Sequence, residues 1–350
     1  NYISNHITFF IFTPMKKNIL FFTLICALIT TSAFCQTASE LQETAKSFMV
    51  QSDYSNAILV LNRAIQLEPQ NIELSKDLAV SYYLNKNYTD AIGVIKPLLD
   101  REDADDLCYQ IAGNIYKQMD EKKEAEKVYK KGLKKFPESG AMYNEVGEIL
   151  WDKKDFDAIK YWESGIENDP EYAANYYNAS KYYFYTTDKI WSILYGEIYL
   201  NMAPNNPNSA EVKSILLDGY KKLFSQYDIS KDNKEKSKFG NAVIDIINKQ
   251  SMLAANGINP ESLTMIRTRF ILEWFANYQE KYPNRLFEHQ RQLLQEGLFD
   301  AYNQWIFGAA QNLVAYQKWI TMHPSESNEL NNFQKSKSFK VPKNQYYHQF

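Results

Sequence analysis

The sequence has 350 residues, a net charge of −3, and only 12 glycines and 11 prolines. Together these two residue types reach about half of their usual share of ~12%. Because glycine and proline mark turns, their scarcity argues against collagen-like, glycine-loop and many-turned β folds, and it favours long elements with short connections. The slightly negative net charge predicts no general affinity for nucleic acid.

The first 35 residues differ from the rest because they contain no aspartate or glutamate. Two lysines follow Met15, an apolar run covers residues 19–29, and small residues lead to Cys35. This order is typical of a bacterial signal peptide, so we expect an exported protein whose leader starts at Met15. The apolar run is short of the ~20 residues that a membrane span needs. Two alternatives stay open: an uncleaved anchor, and a lipid on Cys35, for which Phe34 is a poor lipobox residue.

The range 38–206 contains an internal repeat with a nearly constant period. In the second half of a unit, apolar or small residues stand at offsets 0, 4 and 7. Proline stands at offset 12 in four of the five units, and Asp103 takes its place in the other. Examples are Ala57, Leu61, Ala64 and Pro69; Ala125, Tyr129, Gly132 and Pro137; and Ala158, Trp162, Gly165 and Pro170. Offsets 0, 4 and 7 share one helix face, and proline ends the helix. The pattern predicts helix-turn-helix units that bury their apolar faces by stacking.

This repeat resembles that of the tetratricopeptide repeat (TPR) family, in five units over the range 38–206. The period agrees with that of the family, which is about 34 residues. The resemblance implies an all-α fold, a right-handed α-solenoid of about five helix-turn-helix repeats. It also implies that the first helix of each unit lines a concave groove, and that this groove holds a peptide or a partner protein.

Residues 207–324 are predicted to form a C-terminal helical region with a degenerate copy of the repeat. The copy is seen where Phe299, Asp300, Ala301, Trp305 and Gly308 reproduce the spacing of Phe156, Asp157, Ala158, Trp162 and Gly165. A last helix is expected over residues 309–322, ended by Pro324. Residues 325–350 are polar at a chain end, which predicts a flexible tail.

A search for catalytic and metal-binding motifs finds no glycine-rich phosphate loop, no nucleophile elbow and no His-Glu-x-x-His in the sequence. We expect His289 to be a surface residue of a helix, because no nucleophile or second histidine is placed to complete a site. Cys108 is expected to be a small packed thiol. The chain is therefore predicted to be no enzyme, with no cofactor and no metal. One alternative stays open, an enzyme whose site lies near His289 or Glu296.

Carried over residue by residue, the resemblance places the partner-binding groove on the first helices. Its predicted members are Tyr83, Gln110, Asn114, Lys117, Asn144, Trp151, Tyr177, Lys181 and Phe184. The aromatic residues among them are expected to form one end of the groove, or else to pack against the helices after Pro204. The predicted function is a non-catalytic protein- or peptide-binding scaffold in the cell envelope. The alternative is a structural or lipid-anchored component of an envelope assembly.

Overall fold

The computed structural model describes residues 36–225, 237–255 and 257–348. Within these ranges all regular secondary structure is helical, and none of these residues lies in a β-strand. The predicted leader, including Met15 and Cys35, lies outside the described residues. The chain divides into two compact units, one ending at Ile95 and the other beginning at Lys96, inside the predicted repeat region.

The first unit consists of two helical hairpins. Its helices are α1 (Ala38–Val50), α2 (Tyr54–Leu67), α3 (Ile72–Leu84) and α4 (Tyr88–Ile95). Thr37 and Glu40 form a capping box at the start of α1, which satisfies backbone N–H groups that the helix leaves free. Leu41, Leu61 and Leu74 lie in the core between the helices and are almost fully buried.

The second unit continues with helical hairpins after a 3₁₀ turn, Lys96–Asp100. Its repeat helices are α5 (Asp106–Gln118), α6 (Lys122–Lys135), α7 (Gly140–Asp152), α8 (Ala158–Asn168), α9 (Ala173–Tyr185), α10 (Lys189–Met202) and α11 (Ser209–Leu223). Helices α1, α3, α5, α7 and α9 are the first helices of the five predicted units, and the even-numbered helices from α2 to α10 are the second. Helix α11 follows the last predicted unit, in the sequence position of a further first helix. The prediction of an all-α fold built from helix-turn-helix repeats is confirmed.

The turn between the two helices of a hairpin has the same backbone geometry in four places. Ser52, Lys86, Asp120 and Lys154 have φ angles of 61°, 65°, 60° and 59°, and each follows the previous one by one period of the repeat. In each turn the next residue donates its backbone N–H to a carbonyl of the first helix; Asp53, for example, donates to the Phe48 carbonyl at 2.9 Å. This is the left-handed C-terminal cap that ends a helix within a few residues.

Glycines inside the helices allow the two helices of a hairpin to approach each other closely; they do not form turns. A Cβ added to Gly113 would overlap the ring of Tyr129, and one added to Gly147 would overlap the indole of Trp162. In both cases the glycine is on the first helix and the aromatic ring is on the second helix of the same hairpin. The small residue is therefore required where the two helices cross.

After α11 the described chain forms a region of helices of unequal length. They are α12 (Lys238–Asn248), a 3₁₀ turn (Ser251–Ala254), α13 (Pro260–Asn277), α14 (Arg285–Gln295), α15 (Phe299–Asn303), a π-helical turn (Gln304–Gly308), α16 (Ala309–Gln311), α17 (Leu313–Met322) and α18 (Pro324–Ser336). No helix among the described residues has the length and apolar character needed to cross a membrane.

The expectation of a flexible tail after Pro324 is wrong for the described residues. Pro324 begins helix α18 rather than only ending α17, since proline suits the first turn of a helix. The following segment is packed: Phe339, Val341 and His348 are buried. The Ser237 hydroxyl donates to the Tyr347 carbonyl at 2.7 Å, which ties the chain end to the start of α12.

The expectation that His289 is a surface residue is also wrong. Its side chain is only 4% exposed and its ring packs against Tyr302, Phe333 and Phe339. Burial, with the nearby positive charge of Arg285, lowers the pKa of His289 to about 3, so the ring is neutral. Cys108 is fully buried, as expected for a packed thiol.

Candidate partner-binding surface

Two groups of polar side chains link the first helices of the second unit. We call them together the polar face; it consists of Lys117, Asn144, Glu145, Glu148, Tyr177, Asn178, Lys181 and Glu211. They lie on α5, α7, α9 and α11, and two of their contacts join residues that are one repeat apart in the sequence.

The first group connects α5, α7 and α9. The Lys117 ammonium pairs with Glu145 and, at 3.3 Å, with Glu148. The Asn144 amide donates to Glu148 at 3.2 Å and accepts from the Asn178 amide at 2.8 Å. Burial works to lower the pKa of Lys117, but its two carboxylate partners outweigh burial and raise it, so the ammonium stays charged.

The second group connects α9 and α11. The Tyr177 hydroxyl donates to Glu211 at 2.6 Å, and the Lys181 ammonium pairs with the other oxygen of the same carboxylate at 3.0 Å. The hydrogen bond from Tyr177, reinforced by Lys181, lowers the pKa of Glu211. The side chains of Lys181 and Glu211 are 32% and 47% exposed, so this group can still meet a partner.

The remaining polar residues predicted for the groove make local contacts. The Gln110 amide donates to Asp106 at 3.0 Å along the same helix. The Asn114 side-chain oxygen accepts from the Tyr129 hydroxyl at 2.8 Å, so it ties the first helix of its hairpin to the second. Tyr83 lies in the first unit, on α3, with its ring 5.9 Å from that of Tyr88.

The predicted aromatic residues contact different neighbours. Trp151 is 37% exposed and its ring lies about 6 Å from those of Phe156, Trp162 and Tyr182. Tyr177 packs on Tyr199, with ring centroids 5.3 Å apart.

Phe184 is covered by the Lys222 ammonium, which lies 3.8 Å from the ring centroid, a cation–π contact. It also packs edge-on against its neighbour Tyr185. The structure therefore brings Lys117 and Asn144 into one group and Tyr177 and Lys181 into another, while Trp151 and Phe184 lie with other partners.

Glu145, Asn178 and Glu211 belong to the polar face but were missed by the sequence analysis. A signal for two of them is the repeat itself. Asn178 follows Asn144 by one period, and Glu211 follows Tyr177 by one period. Equivalent positions on successive first helices stand side by side, so polar residues one period apart are candidates for contact.

A buried ion pair joins the last repeat helix to the C-terminal region, in which an enzyme site was left as an alternative. Glu197 of α10 pairs with Arg267 of α13, and both are about 2% exposed or less. Glu197 also accepts hydrogen bonds from Gln290 at 2.6 Å and from the Tyr302 hydroxyl at 2.9 Å. The space beside the pair has room for about one water molecule. The two charges satisfy each other in a closed core, which is a structural arrangement rather than an open catalytic one.

No cluster of three or more histidine, cysteine, aspartate or glutamate side chains among the described residues is arranged to hold a metal ion.

Part of the chain matches a protein-family model. The family model described as anaphase-promoting complex, cyclosome, subunit 3, matches residues 50–132. This stretch consists of TPR-like repeats. It extends from the end of α1 into α6 and includes the turns at Ser52, Lys86 and Asp120. No curated protein matches the sequence.

Several solved structures are similar to the chain at low identity. The TPR protein TTC0263 of Thermus thermophilus is 15% identical, with 52% of this chain and 100% of that chain covered and a TM-score of 0.42. A TPR protein of Parabacteroides merdae is 13% identical, with 72% and 96% covered and a TM-score of 0.42. The human IFIT1 dimer with PPP-AAAA is 14% identical, with 88% and 68% covered and a TM-score of 0.39. These TM-scores are below 0.5, so the fold assignment rests on the helices of the chain itself.

Proposed function

We propose that the protein is a non-catalytic scaffold that binds a protein or peptide through the polar face. The observation that carries the proposal is the pair of linked polar groups on α5, α7, α9 and α11. TPR-like folds generally mediate protein–protein interaction. A partner would find charged and amide groups already held in place.

The chemistry of the polar face suits an extended peptide. Lys117 and Lys181 are positioned by carboxylates and remain partly exposed, so each ammonium has donors left for a peptide carbonyl or carboxylate. Because neighbouring side chains already hold these groups, little side-chain entropy is lost on binding. Glu148 and Glu211, at 43% and 47% exposed, offer acceptors for peptide N–H groups or basic side chains.

We further propose that the protein acts in the bacterial cell envelope, on the basis of the predicted leader. Mass spectrometry of the N-terminus of the protein isolated from its native cells tests this part separately. A chain beginning at Gln36 supports export with cleavage after Cys35. A diacylglyceryl-modified Cys35 supports a lipid-anchored form, and an unprocessed leader argues against export.

The proposal for the polar face is tested by site-specific photo-crosslinking followed by affinity measurement. A photo-reactive amino acid replaces Tyr177 in one variant and Tyr54, on α2, in a control. We expect a partner protein to be crosslinked from position 177 and not from position 54.

The identified partner is then purified and titrated against two double variants of equal charge change. Lys117→Ala with Lys181→Ala removes both ammonium groups of the polar face. Lys160→Ala with Lys221→Ala removes two exposed lysines that pair within their own helices or turns. We expect the first variant to lose at least tenfold in affinity and the control to stay within about twofold. Equal affinity for both variants refutes binding through the polar face.

A further inference from the structure

Helix α6 carries an excess of positive charge in a chain that is negative as a whole. Between Lys122 and Lys135 it contains seven lysines and two glutamates, whereas the net charge of the chain is −3. It is a second helix of its hairpin, so its charge does not belong to the polar face. Its buried residues, Ala125, Val128, Tyr129 and Gly132, hold the opposite side of the helix against the core.

The lysines of α6 line a shallow groove. Lys123, Lys127, Lys130 and Lys134 follow the i, i+4, i+7, i+11 spacing of one helix face. The groove is lined by Lys123, Glu126, Lys127, Lys130, Lys131 and Lys134. At 1.5 Å per residue this row of lysines is about 16 Å long, which an extended peptide of about five residues spans.

The carboxylates nearby neutralise only part of this charge. Glu126 is shared by two lysines, Lys130 at 2.6 Å and Lys153 at 2.5 Å. Lys131 pairs with Asp100, whose side chain is 81% exposed, so the pair is weak. Within the described part of the chain, Lys123 and Lys134 lie in no ion pair.

We propose that this groove binds an acidic segment of a partner protein. Ammonium groups in a row complement carboxylates on an extended or helical segment. The methylene groups of the lysines that line the groove can pack against the ligand chain. The site is separate from the polar face, so it adds a second interaction surface to the proposed scaffold.

Two other polyanions fit the groove less well. Nucleic acid is usually bound with arginine forks and aromatic stacking platforms, and α6 contains no arginine and no aromatic residue except the buried Tyr129. An anionic bilayer favours a basic helix with a large apolar side chain to insert, and none of the exposed large apolar residues of the described chain lies on α6.

The test measures binding of a fluorescein-labelled poly-glutamate peptide to the full chain by fluorescence anisotropy. The triple variant Lys123→Glu, Lys127→Glu, Lys134→Glu reverses the charge of the groove. Its control, with the same change in net charge, is Lys221→Glu, Lys318→Glu, Lys335→Glu, at exposed sites on other helices. Circular dichroism checks that both variants keep their helices.

We expect the wild-type chain to bind the peptide, and salt to weaken the binding. The groove variant should lose at least tenfold in affinity, and the control variant at most about twofold. Three outcomes overturn the proposal: no binding by the wild-type chain, equal loss in the two variants, or tighter binding to oligothymidylate or to phosphatidylglycerol vesicles than to the peptide.

Discussion

Replacement of His289 by phenylalanine should remove a source of acid instability from the second unit. The imidazole is 4% exposed, and its neighbours are the rings of Tyr302, Phe333 and Phe339. A phenyl ring is close in size and needs no hydrogen-bond partner. At pH 7.5, where the histidine is neutral, we therefore expect the variant and the wild type to differ in unfolding free energy by less than ~1 kcal/mol.

The size of the pH effect follows from the two pKa values. The pKa of His289 is about 3 in the folded chain, lowered by burial and by Arg285 and Lys337, and its ordinary value is 6.5. A base whose pKa is lower in the folded chain than in the unfolded chain stabilises the folded state at pH values above the unfolded pKa. This stabilisation is lost as the pH falls from 6.5 towards 3. One pKa unit corresponds to about 1.4 kcal/mol, so this one group should cost the wild type about 2 kcal/mol of stability by pH 5. The phenylalanine variant should lack this contribution.

Urea unfolding followed by tryptophan fluorescence measures this difference in the right part of the molecule. All six tryptophans lie between Trp151 and Trp319, within the second unit, so the first unit does not contribute to the signal. The free energy of unfolding is compared at pH 7.5 and pH 5.0 for both proteins. If the difference between the variant and the wild type is the same at both pH values, His289 is not a buried neutral base and the reasoning fails.

Three further substitutions test other parts of the structure. Glu163→Gln should show the opposite pH effect, because burial raises the pKa of Glu163 from 4.5 to about 7. The stabilisation by the protonated carboxyl is complete below pH 4.5 and is lost as the pH rises through 7. The variant should therefore be more stable than the wild type at pH 7.5, and this advantage should shrink by about 2 kcal/mol at pH 5 in the same urea assay. Gly147→Ala should destabilise the chain by ~1–3 kcal/mol, because the added Cβ overlaps a buried indole. The control Gly93→Ala, with nothing within 4 Å of the added Cβ, should stabilise the chain by up to ~1 kcal/mol in thermal unfolding followed by circular dichroism. Equal effects would contradict the requirement for a small residue where the helices cross. Arg267→Met should cost ~3–5 kcal/mol by leaving its glutamate partner buried and unpaired, and a second change of that glutamate to leucine should recover much of the loss; a double variant as unstable as the single one would refute this.

The opposite signs at His289 and Glu163 have a consequence for the wild-type chain. Between pH 7.5 and 5 one group loses about 2 kcal/mol and the other gains a similar amount, so the two effects nearly cancel. A flat pH profile of the wild type would therefore hide two large shifts. Only the single variants, each compared with the wild type, separate them.

The fold was predictable because its signals are local. The offsets of 0, 4, 7 and 12 fix helix faces and helix ends within a unit, and the left-handed turns at Ser52, Lys86, Asp120 and Lys154 follow the period of the repeat. The glycine positions were predictable for the same reason, since Gly113 is the small partner of a ring in its own hairpin.

The candidate site was predictable only in part. Contacts between units depend on which helix face a residue occupies and also on which residues of the next helix stand opposite it. Lys117 and Lys181 were placed on the first-helix face by the repeat. Their carboxylate partners lie on the next unit, at Glu145 and Glu211, and were not identified from the pattern of a single unit. Comparison of polar residues at a spacing of one period would have identified Glu211 opposite Tyr177.

The polar composition of residues 325–350 predicted a flexible tail, and the packing of this segment shows why that prediction was wrong. A polar, lysine-rich segment at a terminus usually has nothing to bury, but here buried side chains stand among the polar ones: Leu330, Phe333, Phe339, Val341 and His348. Its lysines pair with exposed carboxylates of the repeat loops, Lys340 with Glu171 at 2.6 Å.

Tyr347 and His348 pack against side chains that only the folded chain brings together. The Tyr183 hydroxyl lies 3.1 Å from the His348 ring and 2.9 Å from Glu163, and the Tyr347 ring stacks on Phe239 with centroids 4.6 Å apart. These partners come from α8, α9 and α12, which are all far from the chain end in the sequence. No periodicity links such positions, so the packing of a polar chain end is decided by tertiary contacts that lie beyond the reach of a repeat pattern.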